Sequence, residues 1–202
     1  KQELQPDGTH RRIIRARLTV RGFKDQDSSD LASYAGTSQR YSQRVVCSEA
    51  GIHGWDIATT DVSKAFLQGV TYEELAEMTG EPLREVNFYL PAAAIPILKT
   101  VDGYQDFDPS KEVLHCDKPG TGLVDAPRAF SLKLSQVTTD LGFKPSSVDA
   151  ELVLMHDKDG HLVCMMSKHV DDLWVGGLAG VMEGVVGGGG RRWGGVVVAG
   201  GG

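Results

Sequence analysis

Residues 164–177, CMMSKHVDDLWVGG, constrain the fold of this chain more than any other stretch. Two apolar segments flank a short polar break, His169-Val170-Asp171-Asp172, and the second closes on Gly176-Gly177. Apolar runs of this length on either side of a polar break predict a β-hairpin. The break then sets Asp171 and Asp172 at the hairpin tip. Adjacent carboxylates repel, and a cation between them relieves the repulsion. Taken alone, the pair reads more readily as a solvated turn. What separates the two readings lies upstream.

Residues 60–69 read TDVSKAFLQG. Asp61 follows the β-prone run 55–60 and precedes Val62, Ala65, Phe66 and Leu67, a set that predicts a strand end passing into a short helical turn. A carboxylate there can meet a carboxylate-tipped hairpin from an adjacent strand. Three Asp side chains converging from two strands form a hard-oxygen site suited to Mg²⁺. Two such ions ~4 Å apart activate an attacking hydroxyl and stabilise a leaving phosphate oxygen.

The 202 residues are enough for one domain with a real core, and 41% hydrophobic with 24% charged content is ordinary for a globular chain. The net charge of −6 argues mildly against nucleic-acid binding, but the charges are segregated. Positions 1–24 carry Lys1, Arg11, Arg12, Arg15, Arg17, Arg21 and Lys24 against only Glu3 and Asp7. Cys47, Cys116 and Cys164 have neither CxxC spacing nor a nearby His pair, so thiols of a reducing compartment are expected rather than disulfides or zinc. No stretch approaches the ~20 apolar residues of a membrane span, and no signal peptide is visible. The chain opens on Lys1 and is expected to be a piece of something longer.

Residues 11–23 alternate, with Ile14, Ala16, Leu18 and Val20 on one side and Arg15, Arg17, Thr19 and Arg21 on the other. They predict a half-buried strand carrying a guanidinium row. That row serves either to protect a sheet edge or to meet phosphate oxygens. Residues 24–42 read as a loop, 43–53 as a weakly periodic helix, 72–78 as an acidic surface helix and 85–90 as a strand; 92–101 is an apolar connector without assignment. The strongest helix signal is 126–141, with Asp125 as N-cap, Pro127 in the first turn and Gly142 as the stop. Residues 151–155 and 161–166 predict a second hairpin around Asp157-Lys158-Asp159-Gly160. From 176 to 202, 13 of 27 residues are Gly, a density at which ordering costs too much backbone entropy, so a low-complexity disordered tail is expected at 178–202. Residues 1–10 are expected to be a disordered leader.

The order RARLTVRGF, TDVSKAFLQG, PGTGLVDAPRAF, LGFKPSSVDAELV, HVDD resembles the reverse transcriptase domain of copia-type LTR retrotransposons, part of a Pol polyprotein. The resemblance covers residues 11–177, loosely over 70–112. It implies an α+β polymerase palm, an antiparallel sheet flanked by helices, with partial fingers and no thumb. It also implies RNA-directed DNA polymerase activity: two-metal transfer of a nucleotide to a primer 3′-hydroxyl. By position, Asp61, Asp171 and Asp172 would be the catalytic and metal-binding carboxylates. Phe66 would be the steric gate against a ribose 2′-hydroxyl, Arg15 and Arg17 would hold the triphosphate, and Gly122 would lie beside nucleotide and template. The cofactor implied is Mg²⁺, two ions, with Mn²⁺ as a substitute. The partners are an RNA or DNA template with primer and dNTPs, and the location is intracellular, in a cytoplasmic particle or the nucleus.

The chain departs from the family pattern at several places. His169 stands where the family has an aromatic residue, Thr121 replaces Tyr, and Val124-Asp125 replaces Lys-Gln, bringing negative charge toward the template path. An active polymerase domain and a decayed, inactive fragment with residual nucleic-acid affinity therefore both remain open. A two-metal phosphodiesterase is a third reading, which needs a histidine or glutamate in the carboxylate shell.

Overall fold

In the computed structural model, backbone is described for residues 2–4, 9–12, 18–186, 192–193 and 196–199, and side chains for Thr9 and 18–186. In chain order the elements are β1 (Gln2–Leu4), β2 (His10–Arg12), α1 (Arg40–His53), β3 (Asp56–Val62), α2 (Tyr72–Thr79), β4 (Asn87–Phe88), α3 (Ile95–Leu98), β5 (Leu114–His115), α4 (Ala126–Asp140), β6 (Lys144–Pro145), β7 (Leu152–His156), β8 (Leu162–His169), β9 (Asp172–Gly177), α5 (Ala179–Val185), β10 (Arg192–Trp193) and β11 (Val196–Ala199). One antiparallel sheet runs β10-β11-β3-β9-β8-β7-β6. The expected α+β class with helices on an antiparallel sheet is borne out.

Strand alternation decides which side chains meet which helix. On one face Val62, Val153, Cys164, Met166, Leu173 and Val175 pack with Phe130, Leu134 and Val137 of α4 and with Met182 and Val185 of α5. On the other, Leu152 and Met165 pack against Val46 of α1. Helix α1 approaches closely at β9, where a Cβ on Gly176 would meet Val46 and Ala50. It covers only part of that face. Ile57 and Thr59 of β3 stay exposed, as do Asp61, Asp172 and His169 at the end of the sheet.

Both hairpins, the strand before Asp61 and the helix at 126 form as the residues predict. Helix α2 carries a full capping box, Thr71 with Glu74, as its sequence allows. Other expectations need correction. The leader is not without structure, since β1 pairs with β2, Glu3 opposite Arg11. The basic strand expected over 11–23 does not extend through its second half: residues 18–21 are irregular and Gly22–Lys24 form a 3₁₀ turn. Here Gly22 packs backbone to backbone on Gly122, and Val20 N–H bonds to the Thr121 carbonyl at 2.9 Å, which replaces strand pairing. Helix α1 starts three residues earlier than its weak periodicity indicated, and of the strand expected over 85–90 only Asn87–Phe88 pairs, with β5. The segment 178–202 is not uniformly irregular. It opens on α5, and β11, a Val-Val-Val-Ala run of high β propensity, pairs with β3 through Val198 opposite Val62 and Ala199 opposite Asp61.

Candidate active site

Asp61 is the penultimate residue of β3 and Asp172 the first residue of β9, and the two are directly opposed across the antiparallel pair. Opposed residues project from the same face with Cβ atoms ~4.5–5.5 Å apart. Asp171 sits in the turn between β8 and β9, whose flanking pair is His169 with Asp172. The ladder continues past Asp61 because the Val62 N–H bonds to the Asp171 carbonyl at 2.9 Å. All three Asp residues are thus tied to one end of the sheet. Partial burial raises the Asp61 pKa above the ordinary carboxylate value, and the charges of Asp171 and Asp172 raise it further. The three charges therefore feel one another, an arrangement a divalent cation relieves.

The turn is strained. Val170 has φ of 56°, and Asp171 has none in that region, the pattern of a type II′ turn whose first central position suits glycine. Lys64, three residues after Asp61, has φ of 53°. These are the two non-glycine residues of positive φ among the described residues, and both lie beside the carboxylates. Such strain, of order 1–3 kcal/mol each, persists where surrounding structure over-determines it and concentrates at functional sites. Below the tip, buried Lys168 lies 3.0 Å from the Glu151 carboxylate and donates to Ser135 Oγ of α4 at 3.2 Å. On the other edge, Ser38 N–H bonds to the Lys168 carbonyl at 2.8 Å and Thr37 bridges to His169. The end of β8 is thereby held from both sides.

The remaining sequence-derived candidates are placed as follows. Phe66 lies in the 3₁₀ turn Ala65–Gln68 directly after β3, half-buried against the α4-side core. Gly122 has φ of 102°, and a Cβ there would collide with the Val20 carbonyl, which is sufficient reason for glycine whatever lies nearby. Arg15 and Arg17 lie outside the described residues. Asp125 is the N-cap residue of α4 as expected, although its side chain makes no capping bond; at 2% exposure it is ion-paired with Arg84, which also binds Asp25 and lies 5.7 Å from the Tyr72 ring centroid. Arg84, from the loosely matching segment 70–112, neutralises the charge expected near the template path.

Sequence reasoning passed over a second acidic cluster. Asp157, Asp159 and His161 have potential ligand atoms all within 4.8 Å of one another, the one such set of three among the described residues. It can hold a metal ion in principle, but its compactness has a local cause. Asp157 Oδ1 accepts the N–H groups of Asp159 and His161, as a polar hairpin loop does. Asp61, Asp171 and Asp172 are less tightly drawn together. His53 and His115 are committed elsewhere, to Glu49 with Trp55 and to Asn87.

The chain is 27% identical over 177 residues to a retrovirus-related Pol polyprotein from transposon RE2 of Arabidopsis thaliana, covering 87% of this chain and 10% of that protein. It is 27% identical over 172 residues to the one from transposon RE1 of the same plant, covering 85% and 10%. The chain therefore spans about a tenth of the length of the curated relatives it matches. No family model matches, and no solved structure matches. The resemblance to a retrotransposon Pol polyprotein segment is borne out. Among the described residues no helix is long and apolar enough to cross a membrane.

Proposed function

We propose that this chain, similar to transposon Pol polyproteins over 87% of its length, is the fingers-and-palm part of an RNA-directed DNA polymerase. The observation that carries the reading is the register of β3 and β9. It sets Asp61 opposite Asp172, with Asp171 on the strained turn, where the sheet face is left uncovered. Asp61, Asp171 and Asp172 would hold Mg²⁺ or Mn²⁺. Their donor set is all-oxygen and their mutual repulsion is uncompensated, so the residues fit the ions. When bound, the metal pair lowers the pKa of an attacking hydroxyl and offsets charge on the leaving phosphate.

The protein residues then have positioning roles. The β3–β9 register fixes the separation of the carboxylates before any ligand arrives, and the bonds to Lys168 and His169 keep the tip from fraying. Phe66, beside the strand end, would exclude a 2′-hydroxyl. Gly122 would let the backbone approach nucleotide and template, and Arg15 and Arg17 would grip the triphosphate with their fork-shaped donors. The primer 3′-hydroxyl would attack in line, with pyrophosphate leaving.

The test is extension of a DNA primer on an RNA template with dNTPs and Mg²⁺ or Mn²⁺, alongside Asp171→Asn. The reading predicts extension that the substitution abolishes. Template–primer binding without extension in the parent chain supports the alternative, a decayed fragment.

A further inference from the structure

We propose that the outer face of α1 pairs two copies of this chain, helix beside helix and parallel, about a two-fold axis. The inner face of α1 is committed to the fold. Ser42, Val46 and Ala50 are buried, and Val46 packs with Leu152 and Met165 of the sheet. Away from that face Tyr41, Val45, Ser48 and Ile52 form one stripe, at spacings of four, three and four residues. All four are exposed, Ile52 at 70% and Tyr41 at 44%. Scattered apolar side chains on a surface are ordinary, but alignment along one line of a helix is the pattern of a seam between helices. Exposed Val148, whose carbonyl accepts the Tyr41 hydroxyl at 3.3 Å, widens the patch beside Tyr41.

The residues along the stripe select a second copy as its occupant. In a heptad frame Val45 and Ile52 take the a positions, and Tyr41 and Ser48 the d positions. β-Branched residues at a favour two parallel strands. In the same frame Arg44 takes g and Glu49 takes e, on opposite flanks of the stripe. In a parallel pair the g side chain of one helix meets the e side chain five residues further along the other. Arg44 of each copy then meets Glu49 of the other, and the two-fold axis makes the ion pair twice. Antiparallel pairing would set Arg44 beside Gly51 of the other copy and form no ion pair. Both charges are available. Arg44 is exposed and makes no ion pair among the described residues, and partly exposed Glu49 meets His53 of its own helix at 3.3 Å.

The length of the helix sets the strength. With 14 residues α1 is ~21 Å long. A seam of that length covers well under the ~800 Å² per partner of a standard interface, so the association is weak, with Kd on the order of 100 µM. The pairing is independent of the carboxylates at the β3–β9 tip, none of which lies in α1.

The test is sedimentation equilibrium of the full chain from about 10 µM to about 1 mM, where the expected result is a monomer–dimer equilibrium. Ile52→Lys should abolish the dimer. Arg44→Glu or Glu49→Arg alone should weaken it about ten-fold, since each sets like charges together twice. The two reversals combined should restore it, which a purely apolar contact or an antiparallel one would not do. Orientation is read from Ser48→Cys in a Cys47→Ser background. The d positions of parallel helices are adjacent, so oxidised glutathione should give a disulfide-linked dimer that dithiothreitol reverses and Cys47→Ser alone does not form. Circular dichroism of each variant should match the parent, since none of these side chains is buried. A monomer throughout, or a dimer indifferent to Ile52→Lys, would overturn the proposal. A dimer lost in Ile52→Lys, but neither restored by the double reversal nor cross-linked through position 48, would overturn the parallel pairing.

Discussion

Replacing Arg84 by Met isolates the interaction that ties the segment around Asp25 to the start of α4. The guanidinium binds Asp25 and Asp125, and the three side chains are 13%, 3% and 11% exposed for Asp25, Asp125 and Arg84. Arg84→Met would leave Asp125 charged and enclosed. Asp25 lines a cavity of about 640 Å³ and can be hydrated from it, so the uncompensated charge falls mainly on Asp125. Removing one partner of a buried ion pair costs about 3–5 kcal/mol, and loss of the contact with the Tyr72 ring adds to that. Arg84→Lys keeps the charge but cannot fork to two carboxylates, and should cost about 1–2 kcal/mol. The network is imperfect, since Arg84 Nε, Asp125 Oδ1 and the Tyr72 hydroxyl are buried without a hydrogen-bond partner among the described residues. The triple replacement Asp25→Asn, Arg84→Met, Asp125→Leu should therefore recover most of the loss. Urea unfolding followed by circular dichroism measures each value. A cost below about 1 kcal/mol for Arg84→Met would refute the reasoning, because it would mean the triad is solvated.

Asp149 accepts bonds from Gln39 N–H at 2.9 Å, from Glu151 N–H at 3.0 Å and from Ser42 Oγ, capping α1 from a distant loop where Gln39 itself makes no side-chain cap. Asp149→Ala should cost about 2 kcal/mol in urea unfolding. Burial raises the Asp149 pKa, but the bonds from Ser42, Gln39 and Glu151 outweigh it and hold the carboxyl below its ordinary 3.8. Its contribution is present in full above that value and is lost as pH falls through the lower folded pKa, so the cost of Asp149→Ala should shrink in acid unfolding series below it. Val170→Gly should raise the thermal midpoint, relief of about 1–3 kcal/mol of strain exceeding the ~0.5–1 kcal/mol entropy cost of glycine. Gly122→Ala should lower it by the same measurement, by at least about 1–3 kcal/mol of strain, since the new Cβ meets the Val20 carbonyl.

The two hairpins and β3 were legible because their signals are local: apolar runs, a polar break and a turn-forming DKDG. Helix α4 was legible for the same reason, from its apolar spacing, Pro127 and Gly142. The convergence of Asp61 with Asp172 could be read only by taking two weak segments together, and its register needed the structure. The ion pair of Asp125 was not legible because its partner Arg84 lies 41 residues away with no periodic relation to it. The strand expected over 11–23 failed at its end for a tertiary reason, the backbone contact between Gly22 and Gly122. In the glycine-rich tail, overall composition hid a short β-prone run that an available strand edge could accept. His169 was noted as a departure from an aromatic position. That it lies opposite Asp172 follows only from pairing.

The central claim, that Asp61, Asp171 and Asp172 form the cation site of this chain, is tested most directly by locating a bound ion. Substoichiometric Mn²⁺ added to isotope-labelled protein broadens the NMR signals of amides near it. The account predicts broadening centred on Asp61, Asp171 and Asp172, reaching His169 and Val62 and lost in Asp61→Asn. Broadening centred instead on Asp157, Asp159 and His161, with the β3–β9 tip unaffected, would contradict it.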